Sequence, residues 1–297
     1  MSNNKEVGII VVTYNRCELL KEVIYSLRKQ TFKNSQIIVV NNGSTDNTFN
    51  WLTNQNDIIT INQENLGGAG GFYTGIKYAV ENGYNYCWIM DDDVICHETA
   101  LEELINSYKK NPNIGFICSK VVGINDQAMN TPTISLEKNS NGYIDWYDKS
   151  DEGLIKVKAA TFVSVCISSK VVNNVGLPFK EYFIWGDDSE YTTRISNQYS
   201  CYMSLYSKVI HKRILQNSLS FAEETNINRL KFYKYKFRNE AHQNKKNGIK
   251  AILKDHIWFY SQILKYIIKF DLLRSRILIL SYLEYISFNP KITFPRK

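Results

Sequence analysis

The chain has no Cys-x-x-Cys pair; its six cysteines, at positions 17, 87, 96, 118, 166 and 201, are scattered. That scatter argues against a zinc site or a disulfide framework and fits reduced thiols in a cytoplasm. An apolar run long enough to cross a bilayer is also missing. The first run, Val7 to Val12, falls far short of the roughly 20 residues a span needs, and the polar Met1 to Glu6 before it does not read as a signal peptide. The glycines of Gly67-Gly68-Ala69-Gly70-Gly71 follow neither the G-x-G-x-x-G nor the G-x-x-x-x-G-K-[ST] spacing, which disfavours a dinucleotide-binding turn and a P-loop.

The 297 residues suffice for one large α/β domain, alone or with an appendage. A net charge of +7 conceals an asymmetry: residues 1–204 hold 17 basic and 23 acidic side chains, net −6, whereas residues 205–297 hold 19 and 6, net +13. A basic tail on an acidic body predicts an anionic partner surface, a membrane or a polyanion.

Val7 to Val12 and Gln36 to Val40 are continuous β-branched runs, the pattern of strands covered on both faces of a parallel sheet. Between them, Glu18 to Leu27 carries apolar residues at helical spacing, completing a βαβ unit. Ligands of such sheets bind beyond the carboxyl ends of the strands. Those ends are Thr13-Tyr14-Asn15-Arg16 and Asn41-Asn42-Gly43-Ser44-Thr45-Asp46. A third strand, Ile58 to Ile61, leads into the glycine-rich stretch, expected to be a loop before a helix from Tyr73 to Glu81 whose N-terminus would face a phosphate.

Tyr86 to Met90 is another apolar run, and it ends in Asp91-Asp92-Asp93. Alternation along a strand predicts that Asp91 and Asp93 project together with Asp92 turned away. Three adjacent carboxylates need solvent or a cation to neutralise them, and paired hard oxygens suit Mg²⁺ or Mn²⁺ with substrate phosphates as further ligands. Downstream, a helix is predicted near Thr99 to Lys109, then loops and a hairpin around Tyr143 to Tyr147 forming a flap, then a strand from Ala159 to Ser168. A second acidic cluster, Trp185-Gly186-Asp187-Asp188-Ser189-Glu190, opens a helix running to about Asn197, and a strand from Ser204 to Ile210 ends at His211. From Ile249 to Phe288, helical stretches place Ile252, Leu253, Ile257, Ile263, Leu264, Ile267 and Ile268 on one side, with Lys250, Lys254, Lys265 and Lys269 on another. These helices read either as a basic amphipathic hairpin at a membrane interface or as a packed cap or oligomer contact.

Thr13-Tyr14-Asn15-Arg16, Asn41-Asn42-Gly43-Ser44, Asn65 to Phe72, Asp91-Asp92-Asp93 and Trp185 to Glu190, in that order, resemble family 2 of the inverting GT-A glycosyltransferases, and within it the bacterial galactofuranosyltransferases. The resemblance covers about residues 7–213, with a looser echo in Tyr233 to Asn239. It implies a GT-A domain over 1–213, with a mostly parallel sheet flanked by helices, and a basic helical region over 214–297. It also implies an inverting transferase that moves galactofuranose from a UDP-linked donor onto a cell-surface glycan carried on a lipid, working at the cytoplasmic face of the membrane and possible as a homo-oligomer. No nucleic acid enters this reading.

Carried over residue by residue, the resemblance puts Thr13, Tyr14, Asn15 and Arg16 around the uridine, Asn42 near the base, and Asn65, Gly67 and Gly68 beside the nucleotide sugar. Asp91, Asp93 and His211 would hold Mn²⁺ or Mg²⁺, with Asp92 toward the ribose or donor sugar. Asp188 would act as general base, Asp187 and Glu190 would bind acceptor hydroxyls, and Trp185 would stack on a sugar face. Two other readings stay open: a rhamnosyltransferase using a dTDP-linked donor, and a non-catalytic glycan- or membrane-binding protein on a degenerate transferase fold.

Overall fold

Strands apolar on both faces require helices on both sides of their sheet. The computed structural model of the chain, which describes residues 5–213 and 220–296, has that arrangement. Its strands are β1 (Val7–Thr13), β2 (Ser35–Asn42), β3 (Ile58–Gln63), β4 (Tyr86–Asp91), β5 (Val94–Cys96), β6 (Phe116–Val122), β7 (Thr133–Ile134), β8 (Leu154–Ala159), β9 (Val165–Ser168) and β10 (Tyr202–His211). The helices are α1 (Cys17–Arg28), α2 (Thr48–Leu52), α3 (Gly67–Glu81), α4 (Ala100–Lys110), α5 (Ser169–Val175), α6 (Asp187–Ser196), α7 (Ile227–Asn244), α8 (Ile249–Ile268) and α9 (Leu272–Ser287). The strands form one sheet in the order β3-β2-β1-β4-β9-β6-β10-β8-β7, with β5 pairing to β10.

The half of the sheet from β3 to β4 is parallel throughout. β9 then enters antiparallel between β4 and β6, so the other half is mixed. The stretch 159–168, expected as one strand, holds the last residue of β8, a break over 160–164, and β9. At the break, Ala160 takes its backbone bonds from a side chain, donating N–H to Thr192 Oγ1 and accepting Thr192 O–H at its carbonyl. A chain that turns there can send β8 to one neighbour and β9 to another. In the region expected to be a flap, an antiparallel bridge pairs Lys138 with Ile144, and Tyr143 and Tyr147 are exposed.

The glycine-rich stretch is not a loop. It forms the first turns of α3, which therefore starts at Gly67 rather than Tyr73. The glycines serve close approach: a Cβ on Gly71 would stand 2.3 Å from Val12 Cγ1, and one on Gly75 2.3 Å from Ile10 Cγ2. α3 thus lies against β1 nearer than any side chain allows, which offsets the cost of glycine within a helix.

The C-terminal helices share a core of their own, in which Leu230, Tyr233 and Phe237 of α7 pack with Phe259 and Tyr266 of α8 and Leu278 and Tyr285 of α9. Arg238 is buried here and is matched by Glu284, 3.2 Å away, and by the Phe288 ring. The end of the chain returns to the body, where Leu177 N–H donates to Thr293 O and Arg296 N–H to Glu81 Oε1, each at 2.8 Å. Residues 214–219, where the two expected regions meet, lie outside the described residues.

The apolar residues of α8 do not share one side. Phe259 and Tyr266 face inward with Ile252 and Ile263 partly covered, while Leu253, Ile257, Leu264, Ile267 and Ile268 remain exposed.

The α3 contact makes a direct stability test. Gly75→Ala should cost about 1–3 kcal/mol in urea unfolding because Ile10 must move. Gly68→Ala, whose Cβ meets open space, should stay within about 0.5 kcal/mol of wild type. Equal stabilities for the two variants would show that α3 is not pressed onto β1.

Candidate active site

The three consecutive carboxylates sit where β4 gives out. Trp88, Ile89 and Met90 are fully buried; Asp91 is the last strand residue, and Asp92 and Asp93 form the turn into β5. Asp91 and Asp93 do converge, as expected, but by this turn and not by strand alternation. β10 completes the arrangement. Its antiparallel pairing with β5 sets His211 opposite Val94, and ligand atoms of Asp91, Asp93 and His211 all lie within 4.8 Å of one another.

Their environment calls for a positive charge. Burial, reinforced by Asp93 and Asp92, pushes the Asp91 carboxyl well above the usual carboxylate range. Burial raises Asp93 as well, but His211 and Arg16 outweigh it and leave that carboxyl below the usual range. Arg16 Nη1 reaches Asp92 Oδ1 at 3.1 Å and Asp93 Oδ2 at 2.9 Å. On the other side His211 Nε2 stands 3.0 Å from Asp93 Oδ1, yet that buried oxygen has no directed hydrogen bond. His211 Nδ1 is 2.8 Å from Asn130 Oδ1. With a cation bound, Nδ1–H would be donated there and Nε2 would offer its lone pair to the ion beside Asp93 Oδ1. The two carboxylates and one imidazole suit Mn²⁺ or Mg²⁺.

Asp92 differs from expectation. Both of its oxygens are taken inside the protein, Oδ1 by Arg16 and Oδ2 by Thr13 Oγ1 at 2.7 Å, so in this structure it braces Arg16 instead of turning toward a sugar. Asn42 is similarly occupied. Its amide donates to Gly67 O and Asn65 Oδ1, and its oxygen accepts from Gln63 Nε2 and Leu66 N. Asn65 Oδ1 in turn accepts from Gly67 N. The pair fixes the start of α3. Asn15, at φ 54, accepts Thr45 N–H through its side chain and donates its own N–H to Ser44 Oγ. Tyr14 is exposed beside it.

The second acidic cluster lies on a strained turn. Phe183 and Trp185 have φ of 63° and 62° and Gly186 has 89°, and Ile184 N–H donates two residues back to Tyr182 O at 2.7 Å. Such backbone persists only where its surroundings hold it. The start of α3 is pressed against the same turn, with Ala69 N–H donating to Phe183 O at 3.1 Å. A Cβ on Gly67 would come within 2.0 Å of that oxygen. α6 then begins with Asp187 and Asp188. Burial pushes both carboxyls up, Asp187 further because of Asp188, and Asp188 is near enough to raise Asp91. Trp185 packs edge-on to Tyr233 at 5.1 Å. Glu190, expected at the acceptor, is buried and bonded to Arg194 and, at 2.6 Å, to Lys246 Nζ. Its carboxylate ties α6 to the tail, since burying it required partners.

The glycosyl transferase family 2 model matches residues 8–167, more than half of the chain. The chain is a family 2 glycosyltransferase. The transferase is 26% identical over 208 residues to the galactofuranosyltransferase GlfT1 of Mycolicibacterium smegmatis, covering 66% of this chain and 67% of that one. It is 28% identical over 195 residues to the poly(ribitol-phosphate) beta-N-acetylglucosaminyltransferase TarP of Staphylococcus aureus, covering 63% and 56% respectively. The crystal structure of S. aureus TarS residues 1–349 in complex with UDP superposes with a TM-score of 0.55 at 15% identity, over 80% of this chain and 65% of that one, a likeness of GT-A fold. The transferase thus spans about two thirds of the first relative's length and little more than half of the second's.

Several residues that organise the site carry no motif. Asp46 accepts both Cys17 N–H, at the start of α1, and Thr48 N–H. Asn130 orients His211. Asn239, fully buried on α7, donates its side-chain amide to Tyr182 O, Ile184 O and Trp185 O at 3.0, 3.2 and 2.7 Å. An aromatic and basic stretch gave no sign that one asparagine in it would hold the turn before Asp188. Asn239→Ala leaves these buried carbonyls short of a donor at a cost of about 1–3 kcal/mol. It should lower kcat about tenfold or more while UDP affinity stays within a few-fold. Unchanged kcat would mean that the turn keeps its shape without α7.

Proposed function

We propose that the protein transfers a sugar, galactofuranose first among candidates, with inversion from a UDP-linked donor to a hydroxyl of a cell-surface glycan. The observation that carries this reading is the convergence of Asp91, Asp93 and His211 within 4.8 Å, with Asp188 close enough to perturb Asp91. Similarity to a galactofuranosyltransferase and a fold shared with a UDP-bound transferase support it. A divalent cation at Asp91, Asp93 and His211 would supply the charge that stabilises the departing diphosphate. Arg16, held by Asp92 and Asp93, would add positive charge there. Thr13, Tyr14, Asn15, Asn42, Asn65, Gly67 and Gly68 shape the nucleotide side, Asn42 and Asn65 by fixing the start of α3.

Asp188 takes the proton from the acceptor hydroxyl as its oxygen attacks the anomeric carbon opposite the diphosphate. Asp187 and Trp185 contact the acceptor, while Glu190 holds α6 in place. A second reading of the donor, UDP-linked N-acetylglucosamine, is favoured by the similarity to the S. aureus beta-N-acetylglucosaminyltransferase. A donor panel of UDP-galactofuranose, UDP-N-acetylglucosamine and dTDP-rhamnose decides among the sugars. Turnover with none of the three would remove the catalytic reading.

A base must be deprotonated to act, and burial raises Asp188. The rate should therefore rise with pH through a value above the usual carboxylate range and level off beyond it. Asp188→Asn should keep UDP affinity within a few-fold, lower turnover by roughly 10² or more and lose that limb. An unchanged pH profile in the variant would move the base elsewhere.

The acceptor's lipid carrier would be met at a membrane. No helix among the described residues is long and apolar enough to cross one. The exposed Leu253, Ile257 and Leu264 of α8, at 56%, 68% and 58% exposure, sit in a region of net +13. Each lysine or arginine near an anionic surface contributes on the order of 1 kcal/mol, within a Debye length. The protein should sediment with anionic vesicles and be released as salt rises. A variant with these three residues changed to Ser should stay in solution at a lower salt than wild type does. Indifference to vesicles would leave the exposed face as an oligomer contact.

A further inference from the structure

A cavity opens next to the acidic turn, and Asp91, Asp93 and His211 are not among the residues that line it. It has a volume of about 340 Å³ and is lined by Trp185, Gly186 and Ser189 on one side and by Arg213, Arg229, Tyr233, Lys236 and Glu240 among others. That volume is at the lower end of small-ligand sites. Gly186 and Ser189 flank Asp187 and Asp188 in the chain, so the cavity begins where the proposed base stands.

Cations outnumber carboxylates in the lining. Arg213, Arg229 and Lys236 face it against Glu240 alone. Arg229 Nε is 3.1 Å from the buried Glu224 outside the lining, so that pair fixes the guanidinium in place. Lys236 Nζ is 3.9 Å from Glu240 Oε1, across one helical turn, with both side chains about half exposed; such pairs contribute little. Arg213 has no ion-pair partner among the described residues. Two aromatic rings, Trp185 and Tyr233, close the same space. Guanidinium groups and an ammonium around an aromatic wall fit a phosphate oxygen set joined to a sugar or hydrocarbon.

On the proposed function the donor's diphosphate falls to Asp91, Asp93, His211 and Arg16, none of which lines this cavity, so these cations are left for another ligand. We propose that this cavity binds a phosphate group of the acceptor, so that the transferase selects acceptors that are phosphate esters and places their hydroxyl at Asp188. This rests on the assignment of Asp188 to the acceptor side. The phosphate could belong to a lipid diphosphate or to a polyol phosphate chain.

Calorimetry on the full chain distinguishes these. The protein is first saturated with UDP and Mg²⁺, then titrated with farnesyl diphosphate in one arm and glycerol 3-phosphate in the other. Binding in either arm identifies the source, and affinity should fall as ionic strength rises. Lys236→Glu and Arg213→Gln alter partly exposed side chains and should weaken the probe by about tenfold or more. Both should bind UDP as wild type does, which also shows that they fold. Probe binding unaffected in both variants, no probe binding in either arm, or binding seen only without UDP would overturn the proposal. Failure of UDP itself to bind would instead count against the donor reading, and the probe titration without UDP would still show whether Lys236 and Arg213 hold a phosphate.

Discussion

Negative charge concentrated in a partly buried cleft is what the rest of the structure answers to. Asp91, Asp92 and Asp93 leave the sheet together, and Asp188 approaches from α6. Carboxylates this close raise one another's proton affinity, and burial adds to the effect. Arg16 is fixed across Asp92 and Asp93 and offsets part of the charge. Asp91 stays raised well above the usual carboxylate range, and His211 stands beside the other oxygen of Asp93, a set that would suit a divalent cation. Other parts of the fold can be understood as holding these groups near each other: β10 carries His211 to β5, and Thr13 fastens Asp92.

The acceptor side depends on the tail more than a division of the chain at residue 213 suggests. The turn at residues 183–186 has backbone that ordinary side chains avoid, and it is gripped from two directions. α3 presses on it through Gly67 and Ala69. α7 holds its carbonyls through Asn239, with Lys246 reaching Glu190 behind it. α7 in turn is covered by α8 and α9, so a change far along the chain can reach Asp188 through packing. The same helices leave basic and apolar side chains outward, so the proposed acceptor side and the proposed membrane face fall in one region.

Much of this was legible in the sequence. The β-branched runs of β1 and β2 and the apolar run of β4 announced buried strands, and the acidic stretches at the end of β4 and the start of α6 marked the candidate site, because consecutive carboxylates are costly without a purpose. His211 could be placed with Asp91 and Asp93 only through the family resemblance, since the β5–β10 pairing that joins them is a long-range fact. The glycine-rich stretch misled. Glycine reads as loop locally, and nothing local says that Val12 and Ile10 will stand where a Cβ would go. Glu190 and Asp92 read as ligand-facing because carboxylates beside a motif usually face solvent or substrate. Of their partners within the protein, Lys246, Thr13 and Arg16 lie in distant stretches of the chain, too far to be read beforehand, and Arg194 lies one helical turn from Glu190. Asn239 fell at the end of the looser echo of the family and Asn130 in no motif, and neither one's partner could be read, as these amides act more than fifty residues away. The α8 face was misjudged because helical spacing groups apolar residues without saying which group a neighbouring helix will cover.

The central claim is that Asp91, Asp93 and His211 join a divalent cation to a UDP-linked donor. Calorimetric titration of UDP into the wild type and Asp91→Asn, each with Mn²⁺ and with EDTA, tests it most directly. The account predicts that Mn²⁺ tightens UDP binding to the wild type by about tenfold or more, some 1.4 kcal/mol, and that Asp91→Asn loses most of this gain while remaining folded. Equal UDP affinity in Mn²⁺ and in EDTA for the wild type, or a full Mn²⁺ effect in Asp91→Asn, would contradict it.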